Sequence, residues 1–512
     1  MRPSGKRVSM LLMCIVLIMS LVLAACDLGD DKSGDGDKSN GDIIGNEHGG
    51  YDPATGKYFV NMPEFTWNDK TEFRVLVYDN TTQDTYYSEE IGVDKYETTD
   101  QAIEDAVRER NNLVFEEYGV EVVAVYTDNV YTDVNNDVMT GSGDYDAAMP
   151  FLSDCARLAQ SNALYDLADV RFNPYIDFSM PWWDQNATES LSINNRVYFT
   201  TGDISFMQKI VSIAVTFNKD MLEDHFPDID LYQMVRDGKW TFDEMVRLSK
   251  EVTLDDDGTA GFSYRDTWGL SGGYGDAAMY YLASGERMVS KDANDIPTLA
   301  VGSEKSITVA QKVLEQLQLK DEWVIHVEHF ANDVPNRWQT SLDIFGEGRA
   351  LFRTSAFSAI KKLRDHEANF GVVPLPKYDE VQDSYYTPCQ AGMAYGIVIP
   401  NSAPDPEFSA YMIEVMSCNA KNHIPEAYYD TVLKGRDMRD DDSEEMLDEY
   451  IFNNVVYDLG LIYNFGGSDN GVSSMFSSLM TNSSTDITST LESRRGAIID
   501  AIDEVVDKYQ SS

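Results

Sequence analysis

Glu72-Phe73-Arg74-Val75-Leu76-Val77-Tyr78 is the stretch on which the fold turns. Phe73, Val75 and Val77 alternate with Glu72 and Arg74, the period of a strand with one face in a core. The period then changes. From Thr99, whose hydroxyl can cap a helix, apolar residues recur at Ala102, Val107 and Val114 as far as Tyr118. Gly119 stops that helix, and Val120 to Tyr126 resumes as strand. Tyr145 to Met149 reads as another short strand, and Arg157 to Tyr165 as another helix. Strand–helix–strand alternation predicts an α/β fold whose sheets are mostly parallel and flanked by helices. Ligands of such sheets sit beyond the carboxyl ends of the strands, which directs attention to the loops after Tyr78 and Met149.

Towards the N-terminus, Asp27 to about Gly50 is mostly Gly, Asp, Ser, Lys and Asn with hardly an apolar residue, too polar to bury a core. Residues 26–66 are therefore expected to form a disordered acidic linker. Before it, Arg2, Lys6 and Arg7 precede an apolar run from Met10 to Leu23, the pattern of a secretory signal over residues 1–25. The run is shorter than the roughly 20 residues a membrane span needs. Leu23-Ala24-Ala25-Cys26 resembles the lipobox of bacterial lipoproteins, which implies lipid attachment at Cys26, an anchor in the bilayer and a place on the extracytoplasmic face of the cell membrane. The remaining chain of roughly 450 residues is too long for one small core and predicts two lobes. A formal charge of −47 argues against nucleic acid as a partner. Cys155, Cys389 and Cys418 lack metal-site spacing, so they are read as buried thiols or one disulfide.

Further motifs follow in order. They include Leu158-Ala-Gln-Ser161, Leu164-Tyr-Asp-Leu167, Pro181-Trp182-Trp183, Tyr198-Phe-Thr-Thr-Gly-Asp203 and Phe217-Asn-Lys-Asp220. Gly238-Lys-Trp-Thr-Phe-Asp243, Phe345-Gly-Glu-Gly-Arg-Ala-Leu-Phe352 and Phe370-Gly-Val-Val-Pro-Leu-Pro-Lys-Tyr378 come later. In order and spacing the chain resembles the extracellular solute-binding proteins of ABC importers, the group containing maltose-binding protein. The resemblance implies a two-lobed periplasmic-binding-protein-like fold of type II with a hinge. It implies residues 67–212 with 389–432 as the N-terminal lobe and 213–388 with 433–512 as the C-terminal lobe. Crossings between lobes are expected near Ile210–Thr216, Tyr385–Ala391 and Val432–Asp440. It further implies a monomer that binds a small molecule, an oligosaccharide above all, serves a membrane permease and catalyses nothing.

Carried onto this chain, the resemblance implies ligand contacts from Tyr78, Asp79, Phe151, Asp154, Tyr274, Asp276 and Arg353. Phe357, Trp182 and Trp183 are expected to form an aromatic platform, with at most one of the two tryptophans facing the ligand, because neighbours in a strand point opposite ways. Pyranose faces stack on rings while hydroxyls bond to polar side chains.

Read for themselves, most of these motifs are scaffold. Thr241 should cap a helix with Glu244 closing the box. Asp255, Asp257 and Asp266 have the spacing of positions 1, 3 and 12 of a calcium loop, but Ala260 stands where such a loop wants Gly and Asp266 where it wants Glu. A solvated acidic turn with no cofactor is the expectation, calcium the alternative. No Gly-x-Ser-x-Gly elbow, phosphate loop or HExxH is present. His326 and His329 read as surface residues. A lipid-anchored glycan-active enzyme, or a glycan-adhesion protein, is the alternative function.

Overall fold

The computed structural model describes residues 44–65, 70–79, 88–93, 101–169, 171, 173–205, 207–320, 322–366, 368–428 and 440–511. The chain enters through three short antiparallel strands, β1 (Ile44–Asn46), β2 (Gly49–Asp52) and β3 (Lys57–Val60). The linker expected through residue 66 therefore ends earlier. Tyr51 and Tyr58 oppose each other across β2 and β3 with rings 5.0 Å apart, and this cross-strand pair gives a polar segment something to pack. Tyr58 also exchanges two 2.8 Å hydrogen bonds with Asn422, its N–H donating to Oδ1 and its carbonyl accepting from Nδ2. Gly49 lies so close to Trp182 that a Cβ there would meet the indole at 3.0 Å.

The deciding stretch is strand β4 (Glu72–Tyr78), followed by the helix Gln101–Tyr118 and by β5 (Glu121–Thr127). Thr99 lies outside the described residues. Gly119 ends the helix at φ 67°, with its N–H on the carbonyl of Phe115, a left-handed stop that glycine makes without strain. β6 (Ala147–Ala148) completes a parallel sheet in the order β5-β4-β6. The returning segment 395–400 then adds antiparallel bridges, Phe151 to Tyr395 and Ala148 to Val398. The helix expected over 157–165 instead spans Leu152–Gln160; Leu164 bridges Pro400, so the sheet's edge takes the residues that were to close the helix. The long helix Pro406–Tyr428 packs against Gln101–Tyr118 and β3.

The second sheet comprises β7 (Ile213–Asn218), β8 (Trp268–Gly272), β9 (Val324–His326), β10 (Ala350–Ala356) and β11 (Phe370–Pro374), in the order β9-β8-β10-β7-β11. β8 runs parallel to β9 and β10, while β7 runs against β10 and β11. This sheet is mixed rather than mostly parallel. β7 follows the short helix Met207–Ile210 and no earlier strand of this sheet, so the crossover rule does not fix its direction. Thr241 caps the helix Phe242–Val252 by accepting from the Glu244 N–H, but Glu244 turns its carboxylate to Arg247 and leaves the box open. Met245 and Leu248 are fully buried beneath it.

Between the sheets, Ser212 pairs with Cys389, and the two-residue strands β12 (Thr387–Pro388) and β13 (Val455–Val456) run parallel beside them. The third expected crossing falls outside the described residues except for Asp440. Cys155, Cys389 and Cys418 are free and buried. No helix among the described residues is long and apolar enough to cross a membrane.

Candidate functional site

A cleft of about 360 Å³ opens beyond the carboxyl ends of β8 and β10, beside Ile213, Gln390 and Met393 of the crossing segments. Arg353 lies near the end of β10, in register with Ser271 on β8 and Thr216 on β7, so the strand itself fixes its position in the cleft wall. Asp276 opens the helix Asp276–Ala283 and accepts the N–H of Gly273 at 2.8 Å. Desolvation pushes its carboxyl up to about 7, reinforced by nearby Glu328 and opposed by the Gly273 N–H and by Arg353.

Trp338 is the residue that the sequence reading left out. It is 53 % exposed and lines the cleft from the first turn of the helix Arg337–Gly346. Asn336 caps that helix, accepting from the N–H groups of Trp338 and Gln339 at 3.1 Å each, and so sets the angle at which the indole leaves the backbone. The indole passes over Gly273, where a Cβ would meet it at 3.1 Å. A glycine before a helix, an Asn cap and a tryptophan in the first turn were all legible; their convergence was not.

On the other lobe, Tyr78 stacks on Phe151 at 4.2 Å, and Tyr395 adds a third ring at 5.7 Å from Tyr78. The Tyr78 hydroxyl donates to Asp154 Oδ2 at 3.2 Å, and Arg157 takes Oδ1 at 2.8 Å. Asp79 is half-buried, with its N–H on the carbonyl of Thr127. Tyr78, Phe151 and Asp154 thus come together. Tyr274 does not line the cleft; its ring packs against His326 and His329 at 5.2 and 5.7 Å. His326 is a buried strand residue rather than a surface one, with Nε2 at 2.7 Å from the carbonyl of Leu317.

The expected platform does not form. Phe357 is buried, with its ring edge-on to Phe452 at 6.0 Å. Trp182 and Trp183 are core residues, and they do not point opposite ways. They sit in a turn closed by the Trp183 N–H on the carbonyl of Met180, not in a strand, and both indole N–H groups reach one carboxylate. Trp182 donates to Glu414 Oε1 at 3.0 Å and Trp183 to Oε2 at 2.9 Å.

The carboxylates of Asp255, Asp257 and Asp266 offer oxygens within 4.8 Å of one another. Loop donors already occupy them. Asp266 accepts from the N–H groups of Asp256, Asp257 and Ser263, Asp257 from Thr259 and Ser263, and Asp255 from Gly261. The loop holds its shape through these bonds.

The sequence profile of the bacterial extracellular solute-binding protein family matches residues 93–414. No curated protein matches the chain. Among solved structures it is similar to the ABC substrate-binding protein of Listeria monocytogenes in complex with cycloalternan, at 13 % identity over 86 % of this chain and 100 % of that one, TM-score 0.51. A cyclo/maltodextrin-binding protein complexed with maltotetraose is similar at 13 % identity over 87 % and 99 %, TM-score 0.53. UspC of M. tuberculosis is similar at 16 % identity over 84 % and 100 %, TM-score 0.52. At these identities the likeness is one of fold: two lobes about a hinge.

Proposed function

The chain belongs to the family of bacterial extracellular solute-binding proteins, and from that premise we propose that it encloses an oligosaccharide between its two lobes and delivers it to an ABC permease. The observation that carries the sugar is Trp338, an exposed ring on a cleft wall that also offers Asn336, Gln339 and Arg353. A flat apolar face with hydrogen-bonding groups around it suits a pyranose. Two similar structures, one in complex with cycloalternan and one with maltotetraose, support the same class. Capture proceeds by rotation of residues 213–388 with 433–512 against residues 67–212 with 389–432 about the crossing segments. The protein acts as a monomer and makes or breaks no bond. Asp276 is the one carboxylate on the cleft wall among the described residues, whereas a glycosidase of the usual kind needs two flanking the bond.

A thermal-shift screen of the full chain against mono- and oligosaccharides tests this reading. At least one sugar should raise the midpoint, and Trp338→Ala should weaken binding of that sugar by roughly 1–1.5 kcal/mol, about tenfold. No shift with any sugar would dismiss the oligosaccharide, and unchanged affinity in the variant would dismiss the stacking role.

We propose further that residues 1–25 are a signal removed on export and that Cys26 carries the lipid. Lipidation there would place the body on the extracytoplasmic face of the membrane. Cys26→Ala should then move the protein from the membrane fraction to the soluble one; retention in the membrane would refute the anchor.

A further inference from the structure

A second hollow, of about 310 Å³, shares no lining residue with the cleft that holds Trp338. It opens between the turn carrying Trp183, the short helix Met207–Ile210, Lys421, and Phe452 and Val455. Most polar groups on its wall are already matched. Asp203 pairs with Lys421 at 3.0 Å. Asp184 accepts the Ala187 N–H at 2.9 Å and the Tyr457 hydroxyl at 2.7 Å. The Trp183 indole N–H is taken by Glu414, and the Asn186 amide donates to the carbonyl of Val455.

Two groups on the wall are not matched. Gln208 is 1 % exposed, and its Nε2 donates to the carbonyl of Gly202 at 3.3 Å. Its Oε1, fully buried, accepts from no described group. Turning the amide over does not help, because it would set Oε1 against the Gly202 carbonyl oxygen. Buried polar atoms of native proteins nearly always have a partner, so this oxygen calls for a donor supplied from the hollow. Lys209, the next residue, is half-buried on the same wall and forms no ion pair with any described residue. Its ammonium has three N–H donors and is best met by an acceptor that carries negative charge.

Size narrows the occupant. At roughly 30 Å³ for each water, the hollow has room for about six to ten non-hydrogen atoms, too few for an oligosaccharide. Pro181 and Phe452 give a short carbon skeleton apolar atoms to lie on. We propose that this hollow is a second ligand site, for a small carboxylate that also bears an O–H or N–H donor. The carboxylate meets Lys209 and the donor meets Gln208 Oε1. Hydroxy acids and amino acids share that chemistry. The site stands on its own residues and does not depend on the sugar reading of the cleft.

Calorimetric titration of the full chain with lactate, malate, alanine and glutamate tests the site. Propionate, succinate and glutarate form a second arm without the donor, and the amides of the same acids a third without the carboxylate. At least one acid should bind about tenfold tighter than both its donor-less counterpart and its amide. Whether hydroxy or amino acids bind distinguishes the two sources. Lys209→Met, at a half-buried position, should weaken that acid about tenfold, and Gln208→Met should make it bind no better than its donor-less counterpart. Trp338→Ala, which weakens the sugar, should leave the acid's affinity unchanged. Binding of no acid would mean that the hollow takes water only and would overturn the site. Equal binding of acid and donor-less counterpart, or unchanged affinity in Lys209→Met, would overturn the recognition described. Loss of the acid in Trp338→Ala would move it to the sugar cleft and likewise overturn a second site.

Discussion

At pH 5, where the buried carboxyl is protonated in the folded chain at little cost, Glu414→Ala should lower the free energy of unfolding by about 2–6 kcal/mol, because it strands two buried indole N–H groups at about 1–3 kcal/mol each. Trp182 and Trp183 are 0 % and 3 % exposed, and Glu414 is wholly buried on the helix Pro406–Tyr428, so water cannot replace the lost acceptor without opening the core. The loss is a large share of the 5–15 kcal/mol that typically holds a domain together. Glu414→Gln keeps one acceptor oxygen but presents an N–H₂ to the other indole, and should lose less, about 1–3 kcal/mol. Urea unfolding followed by tryptophan fluorescence reads both variants, since two of the seven tryptophans are the reporters. An alanine variant as stable as the parent would show that the clamp does not hold this lobe together.

Stability should peak near pH 5 and fall as the pH rises to 8. Burial pushes the carboxyls of Glu414 to about 8, Glu90 to about 7 and Asp458 to about 6, above the ordinary values of 4.5 for Glu and 3.8 for Asp. Below their ordinary values both folded and unfolded chains hold these protons, and the groups exert no penalty. Between the ordinary and the raised values the unfolded chain releases protons that the folded chain keeps, so unfolding gains with every unit of pH; above about 8 the penalty is complete. On the acid side the sign reverses. Asp169, held down to about 2 by hydrogen bonds from Arg171, and Asp440, lowered by Lys219, lose their contribution as pH falls below 4. Melting curves from pH 4 to 9 check the shape. Repetition in 0.5 M salt separates causes, because salt screens the mutual repulsion behind a charge of −47 and leaves desolvation largely untouched. A midpoint flat from pH 5 to 8 in high salt would mean that the buried carboxyls do not titrate as described. The Glu414→Gln variant should show the shallower slope of the two proteins.

Architecture was legible because it is written in local periods. Alternation in β4, the 3.6-residue period of Gln101–Tyr118 and the glycine stop are each contained in a few turns of chain. The site was legible only where the same locality holds. Asp276 and Arg353 sit at strand and helix ends, and the structure places both on the cleft wall. Trp182 and Trp183 were misread because their orientation is set by Glu414, more than 200 residues away. Phe357 failed likewise: it starts a helical turn whose outward or inward sense depends on Phe452. The early end of the polar linker escaped notice since β1 to β3 are held by tyrosine pairing and by Asn422, not by an apolar run.

That small entry sheet has a mechanical consequence. Its partners, Asn422, Trp182 and Asp177, which Asn46 holds at 2.9 Å, all fall within the stretches proposed above as one lobe, residues 67–212 with 389–432. Under the capture mechanism proposed above, a load on the N-terminal segment would reach that lobe and leave the crossing segments outside its path. In the frame of whatever holds the N-terminus, that lobe would be the stator and the other the rotor. Opening and closing would then neither wind nor stretch the attachment.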